Sequence, residues 1–163
     1  MKNWLRAGVV VILVLVVVVT GPAKQGKLNN RHLFSLVNTY RSEQGLSKMV
    51  WWYSLCRYAD QRAHEIVTTW GHSGFKDDEV VTEGYVYGRI CPECVYAGEN
   101  LAKDYQSDEA ILEAWLASPT HKEILDKPEW DIGCVAVVDD NFVSMEFGKK
   151  RIGLFWNLPI HLW

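Results

Sequence analysis

The sequence predicts an α+β domain behind an N-terminal hydrophobic leader, on three observations. Apolar residues recur at helical spacing in the first half, as in Leu33, Leu36, Val37 and Tyr40. Two β-like runs, residues 132–138 and 142–147, flank the turn sequence Asp139-Asp140-Asn141. At the start, Lys2 and Arg6 precede an uncharged, Val-rich run from Ala7 to Ala23. With 163 residues and 48% hydrophobic content the chain holds one domain with a core, and 23% charged residues argue against disorder.

The apolar part of the leader, residues 7–20, has 14 residues. That suits a signal-peptide core and falls short of the roughly 20 residues of a spanning helix. Gly21 and Ala23 are small residues at the −3 and −1 places of a cut before Lys24. Residues 1–23 therefore read as a signal peptide, or as an uncleaved anchor attached to a membrane through residues 7–20. Both readings export the domain, secreted or held outside the cytoplasm. Net charge is −3, and about −5 without Lys2 and Arg6, so nothing here resembles the basic footprint of a nucleic-acid binder.

Residues 24–30 form a polar linker. The first helix follows, with Gly45 as its stop. Residues 49–53 are an aromatic link. Ser54 can cap a second helix with the stripe Leu55, Ala59, Ala63 and Ile66, the Arg62 stem along its edge, ending near Thr69. Residues 71–98 are long for a structureless loop, so they are held by a disulfide or cover a site. They include an acidic loop at Asp77-Asp78-Glu79 and a short β-like run from Glu83 to Ile90. Ser107 caps a third helix, with Asp108 and Glu109 favoured by its dipole and Ile111, Leu112, Trp115 and Leu116 as its stripe. Ser118-Pro119 reads as the N-cap and first residue of a short fourth helix. After the hairpin, Lys149-Lys150-Arg151 is a solvated basic break before an apolar tail, so residues 149–163 form an extension packed on or extending the domain.

Export makes the four cysteines disulfide candidates. Cys91-Pro92-Glu93-Cys94 reads as a local disulfide, half a zinc site or a redox pair, and the disulfide is favoured in an oxidising compartment. Cys56, in a helical pattern, and Cys134, in a strand pattern, read as small buried hydrophobes.

The candidate site joins three distant residues. His72 follows Gly71 beyond the second helix, Glu99 stands between Gly98 and Asn100, and His121 falls at N3 of the short helix. Two imidazoles and a carboxylate suit a divalent metal, zinc first, or acid/base work. Ser73 and Asn100 join them as groove candidates. Taken singly, each residue is more often a surface group. Rival motifs fail on spacing. His64-Glu65 has Thr68 where a zinc protease needs its second His. No Gly-x-Ser-x-Gly elbow is present.

In their order and spacing, several short motifs form a pattern. They are Asn38-x-x-Arg41-x-x-x-Gly45-Leu46; Leu55-x-x-x-Ala59-x-x-x-Ala63; Gly71-His72-Ser73; Gly98-Glu99-Asn100-Leu101-Ala102; and Trp115-Leu116-x-Ser118-Pro119-x-His121-x-x-Ile124-Leu125. Ile132-Gly133 and Phe147-Gly148 follow. Over roughly residues 30–148 this resembles the CAP superfamily (cysteine-rich secretory, antigen-five and plant pathogenesis-related proteins), most closely its bacterial SCP-domain branch. The resemblance implies a domain at 31–148 built as an α/β/α sandwich with a central antiparallel sheet and a groove lined by His72 and Glu99. The bacterial branch adds His121, and some members bind a divalent metal there. Two departures stand out. Ser118 occupies the place of a second Glu, and residues 142–146 lack a late His, which leaves Glu146 as a further candidate wall residue.

Three functions compete. A non-catalytic extracellular module would hold a small lipid, peptide or glycan, with or without a metal, in the His72–Glu99–His121 groove. A metal-dependent, peptidase-like hydrolase would use the same groove, but Glu99 cannot be both ligand and free base. A structural envelope protein would use the anchor and the apolar tail. The binding module ranks first, ahead of a conventional enzyme.

Overall fold

The computed structural model describes residues 27–78 and 90–151. The leader, part of the linker, the run at 83–90 apart from Ile90, and the tail after Arg151 lie outside the described residues. Among the described residues, five helices and four strands follow in the order α1 (Asn30–Glu43), β1 (Val50–Trp51), α2 (Tyr53–Thr68), α3 (Ser73–Asp78), β2 (Cys94–Ala102), α4 (Asp108–Ala117), α5 (Pro119–Asp126), β3 (Ile132–Val138) and β4 (Phe142–Lys150).

The sheet order is β1-β3-β4-β2. β4 pairs antiparallel with both β3 and β2, whereas β1 joins β3 in parallel through Val50↔Ile132 and Trp51↔Gly133. The central strands β3-β4-β2 are antiparallel as expected, and β1 adds a short parallel edge strand. The aromatic link read at 49–53 supplies the parallel edge strand.

Strand alternation sorts the core into two layers. Val135, Val143, Met145 and Phe147 face α1, α4 and α5, where they meet Leu33, Val37, Ile111, Trp115 and Leu125. Ile132, Cys134 and Ala136 face α2, against Leu55, Tyr58, Ala59 and Ala63. Helices on both faces of one sheet give the three-layer α/β/α arrangement.

Local chemistry sets the joints. Asn29 caps α1 by accepting from the Arg31 and His32 amides, and its own N–H donates to Asp108 at the start of α4. Asn38 exchanges two hydrogen bonds with the Met49 backbone, at 3.0 and 2.8 Å, and so aligns β1. Arg41 is fully buried and donates to the carbonyls of Ser47, Leu125 and Lys127. It thereby satisfies carbonyls at the α5 C-terminus that the helix itself leaves open. Gly45 stops α1 with φ 75°.

Several expectations need correction. Ser54 does not cap α2; the helix starts two residues earlier than that cap implies, at Tyr53 after Trp52, and the Ser54 hydroxyl donates to Glu93 Oε2 at 3.0 Å. Asp77 and Asp78 end α3 instead of forming a loop. Lys149 and Lys150 are no solvated break, because β4 carries them to the end of the sheet. There Lys149 pairs with Asp131 at 3.1 Å and Lys150 lies 3.7 Å over the Trp52 ring. Cys91 and Cys94 form the expected disulfide, but Cys56 and Cys134 also bridge, across 78 residues. They are a covalent link from α2 to β3, not two small hydrophobes. Cys56 sits on the sheet-facing side of α2, opposite a Cys on the α2-facing side of β3.

Candidate functional site

Each candidate side chain is placed by a different element. Glu99 comes from β2, on the face toward α2, and is 3% exposed. The stretch 96–102 lies in β2, ahead of α4. His72 stands in the short link between α2 and α3, after Gly71, whose φ of 130° lets the chain turn back. His121 is the third residue of α5, with Ser118 as N-cap and Pro119 first, as expected.

The three meet. His72 Nδ1 lies 2.8 Å from Glu99 Oε1, and the His72 and His121 rings are 6.3 Å apart between centroids. All three line one cavity of about 400 Å³. Its other walls are Phe75 from α3, Ala97 and Gly98 from β2, and Thr120, Ile124 and Lys127 from α5 and its end. Ser73 and Asn100 are not among the lining residues. Ser73 is exposed at the start of α3. Asn100 is fully buried, because strand alternation turns it to the face opposite Glu99, where its Nδ2 donates to the His121 carbonyl at 3.1 Å. It supports α5 from beneath.

The decisive neighbour was hidden in the sequence. Arg62, read as a helix-edge stem, is fully buried and grips Glu99 with two hydrogen bonds, Nε to Oε2 at 2.7 Å and Nη2 to Oε1 at 3.2 Å. It also donates to the Gly71 carbonyl at 2.9 Å and pairs with Glu65 at 2.6 Å. The usable signal was an arginine inside an apolar helical stripe, since a buried charge needs a partner. Gly74 belongs to this packing too, because a Cβ there would fall 2.0 Å from Glu65 Oε1.

These contacts fix protonation. Burial works to raise the Glu99 pKa, but hydrogen bonds from His72 and Arg62 outweigh it and hold the carboxyl below its usual range. An ionised Glu99 only accepts, so the His72 ring donates to it from Nδ1. Burial, then the nearby His72, lowers the His121 pKa and keeps that ring neutral. Glu146, the cross-strand partner of Glu99, is fully buried. Burial, then the Glu99 charge, raises its pKa well above the ordinary value, while the Ser144 hydroxyl donates to it at 2.7 Å. Glu146 thus faces Glu99 as a neutral acid and is not a wall of the cavity.

Neutral Glu146 gives a testable pH dependence. Its folded pKa lies above the unfolded value near 4.5, so the folded state holds the extra proton as pH rises past that value. Stability is then lost with rising pH until the folded pKa is passed. Glu146→Gln, which cannot ionise, is expected to gain on wild type as pH increases from about 5 to 9. Urea midpoints across that range check it; parallel curves for the two proteins would show that Glu146 is not held neutral.

As a direct metal ligand Glu99 fits poorly, since both its oxygens are engaged by Arg62 and His72. Among the described residues no three His, Cys, Asp or Glu side chains converge as a ligand set. The two imidazoles fit better. Among the described residues His72 Nε2 has no hydrogen-bond partner, and a metal-binding His commonly donates its other N–H to a carboxylate, as His72 does to Glu99.

Comparison with known proteins agrees with this fold. Similar solved structures include an extracellular protein containing an SCP domain from Bacillus anthracis, with TM-score 0.58 and 22% identity, covering 74% of this chain and 40% of that one. An outer surface protein from Borrelia burgdorferi aligns with TM-score 0.57 and 20% identity, covering 74% and 92%. A cysteine-rich secretory protein from Staphylococcus aureus aligns with TM-score 0.58 and 18% identity, covering 79% and 41%. This chain therefore spans about two fifths of the first and third of these proteins. A search among curated proteins found no match. The profile of the cysteine-rich secretory protein family matches residues 34–148. The chain belongs to CAP, the cysteine-rich secretory protein family.

Proposed function

We propose that this is an exported CAP-domain binding protein whose cavity takes a small extracellular ligand and a divalent metal, zinc first, on His72 and His121. The His72–Glu99 hydrogen bond carries this reading. It holds the His72 ring by Nδ1 at the cavity wall, with the ring of a neutral His121 6.3 Å away between centroids. Glu99 then orients His72 from behind and does not bind the metal itself, with Arg62 neutralising its charge. Bound zinc would supply Lewis acidity. The hydrolase alternative lacks a base, because Glu99 is held by Arg62 and Glu146 is neutral. Export rests on the leader; among the described residues no helix is long and apolar enough to cross a membrane.

The test is titration calorimetry with zinc. Wild type is expected to bind with a Kd of about 1 μM or tighter, and His72→Ala and His121→Ala are each expected to abolish that uptake. Equal uptake by all three proteins would remove the metal from the proposal.

A further inference from the structure

Three consecutive residues of one strand, Ala97, Gly98 and Glu99, line the cavity. Side chains along a strand alternate between faces, so a cavity touching all three meets β2 at its edge. The walls agree, since Phe75 belongs to the α2 layer and Ile124 and Lys127 to the opposite one. β2 ends the sheet order, and among the described residues no strand pairs with its outer side. The Leu101 carbonyl accepts from the Trp115 indole at 2.9 Å, a partner outside the sheet. In an antiparallel strand every second residue turns its N–H and C=O the same way. Glu99 and Ala97 therefore offer their backbone groups on the side of the Leu101 carbonyl, within the cavity.

We propose that the cavity takes a short extended peptide, added to the outer edge of β2 at Ala97 and Glu99, with an apolar side chain against Phe75 and Ile124 and its C-terminal carboxylate at Lys127. This rests on the cavity being the binding site, and it does not need the metal. An edge strand is a template for another extended chain, with specificity set by alternate side chains. A lipid tail would cover Phe75 and Ile124 equally well, but it would bury backbone N–H and C=O groups without partners, at a cost a peptide avoids. The Lys127 ammonium lies 5.7 Å over the Trp130 ring, and among the described residues no carboxylate pairs with it. The cavity of about 400 Å³ has the room of roughly 13 liquid waters at about 30 Å³ each, which suits a short peptide segment.

The test uses the full, disulfide-bonded chain and the synthetic peptide acetyl-Thr-Val-Thr-Leu with a free C-terminus, read by calorimetry. The peptide is then N-methylated at each amide in turn. Strand addition predicts an alternating result, with every second methyl weakening binding about tenfold or more and the methyls between leaving it within about twofold. Converting the C-terminus to an amide is expected to weaken binding to wild type but not to Lys127→Gln. Decanoate serves as the lipid arm and is expected not to displace the peptide. A methyl scan without alternation, displacement by decanoate, or no peptide heat would each overturn the inference. Zinc uptake through His72 and His121 with no peptide binding sinks this inference alone; peptide binding without zinc uptake sinks the metal alone.

Discussion

Replacing Arg62 with Met is expected to cost about 3–5 kcal/mol of folding stability, the range seen when one partner of a buried ion pair is removed. Met keeps much of the stem volume, so the loss isolates the charge. It leaves Glu99, 3% exposed, without its cation. The deficit should depend on pH. In wild type Glu99 is held below its unfolded pKa of about 4.5, so its contribution is present above that value and lost as pH falls through the folded pKa. Without Arg62 the buried carboxyl prefers its neutral form, so the deficit of Arg62→Met shrinks as the solution is acidified. Urea denaturation at pH 7 and at pH about 4 checks both points. Arg62→Lys is expected to recover only part of the loss, because a single ammonium cannot reproduce the two-point grip on Glu99. A deficit under about 1 kcal/mol would show that the pair does not hold the site together.

The second large effect concerns the cysteines. Cys56→Ala with Cys134→Ala opens a loop of 78 residues, and chain entropy puts the cost at about 4–5 kcal/mol. The Cys91–Cys94 bridge closes a separation of only 3 residues, for which the same relation gives about 1.5–2 kcal/mol. Denaturation of the two double variants should therefore rank them in that order, and reductant should bring wild type below either one. The reverse ranking would mean that the short bridge, at the start of the strand carrying Glu99, matters through native packing instead of loop closure.

Much of the framework could be read from residues. The stripes of α1, α2 and α4, the Ser118-Pro119 start of α5 and the β3–β4 hairpin all follow local rules of period, capping and turn chemistry. His72, Glu99 and His121 were legible as a set only through ordered motifs, since no local rule brings residues 27 and 22 positions apart to one cavity. What local rules missed depends on tertiary partners. β2 lacks a clean alternation because Gly98, Glu99 and Asn100 are buried on both faces by α2, α5 and Trp130. The parallel strand β1 is two residues long and is defined only by β3 and the Asn38 side chain. Arg62 looked peripheral because its partner is 37 residues away. The Cys56–Cys134 pair gave no spacing signal, since pairing follows from facing elements.

On the proposed reading, His72 and His121 form one metal-binding edge of the cavity, with Glu99 behind them. Crystals soaked with zinc and measured across its absorption edge test this directly. The expected anomalous peak lies between the two imidazoles, about 2.0–2.1 Å from His72 Nε2 and a ring nitrogen of His121, with Glu99 still on Arg62. A peak bound to Glu99 in place of Arg62, or a fully loaded site elsewhere on the protein, would contradict it.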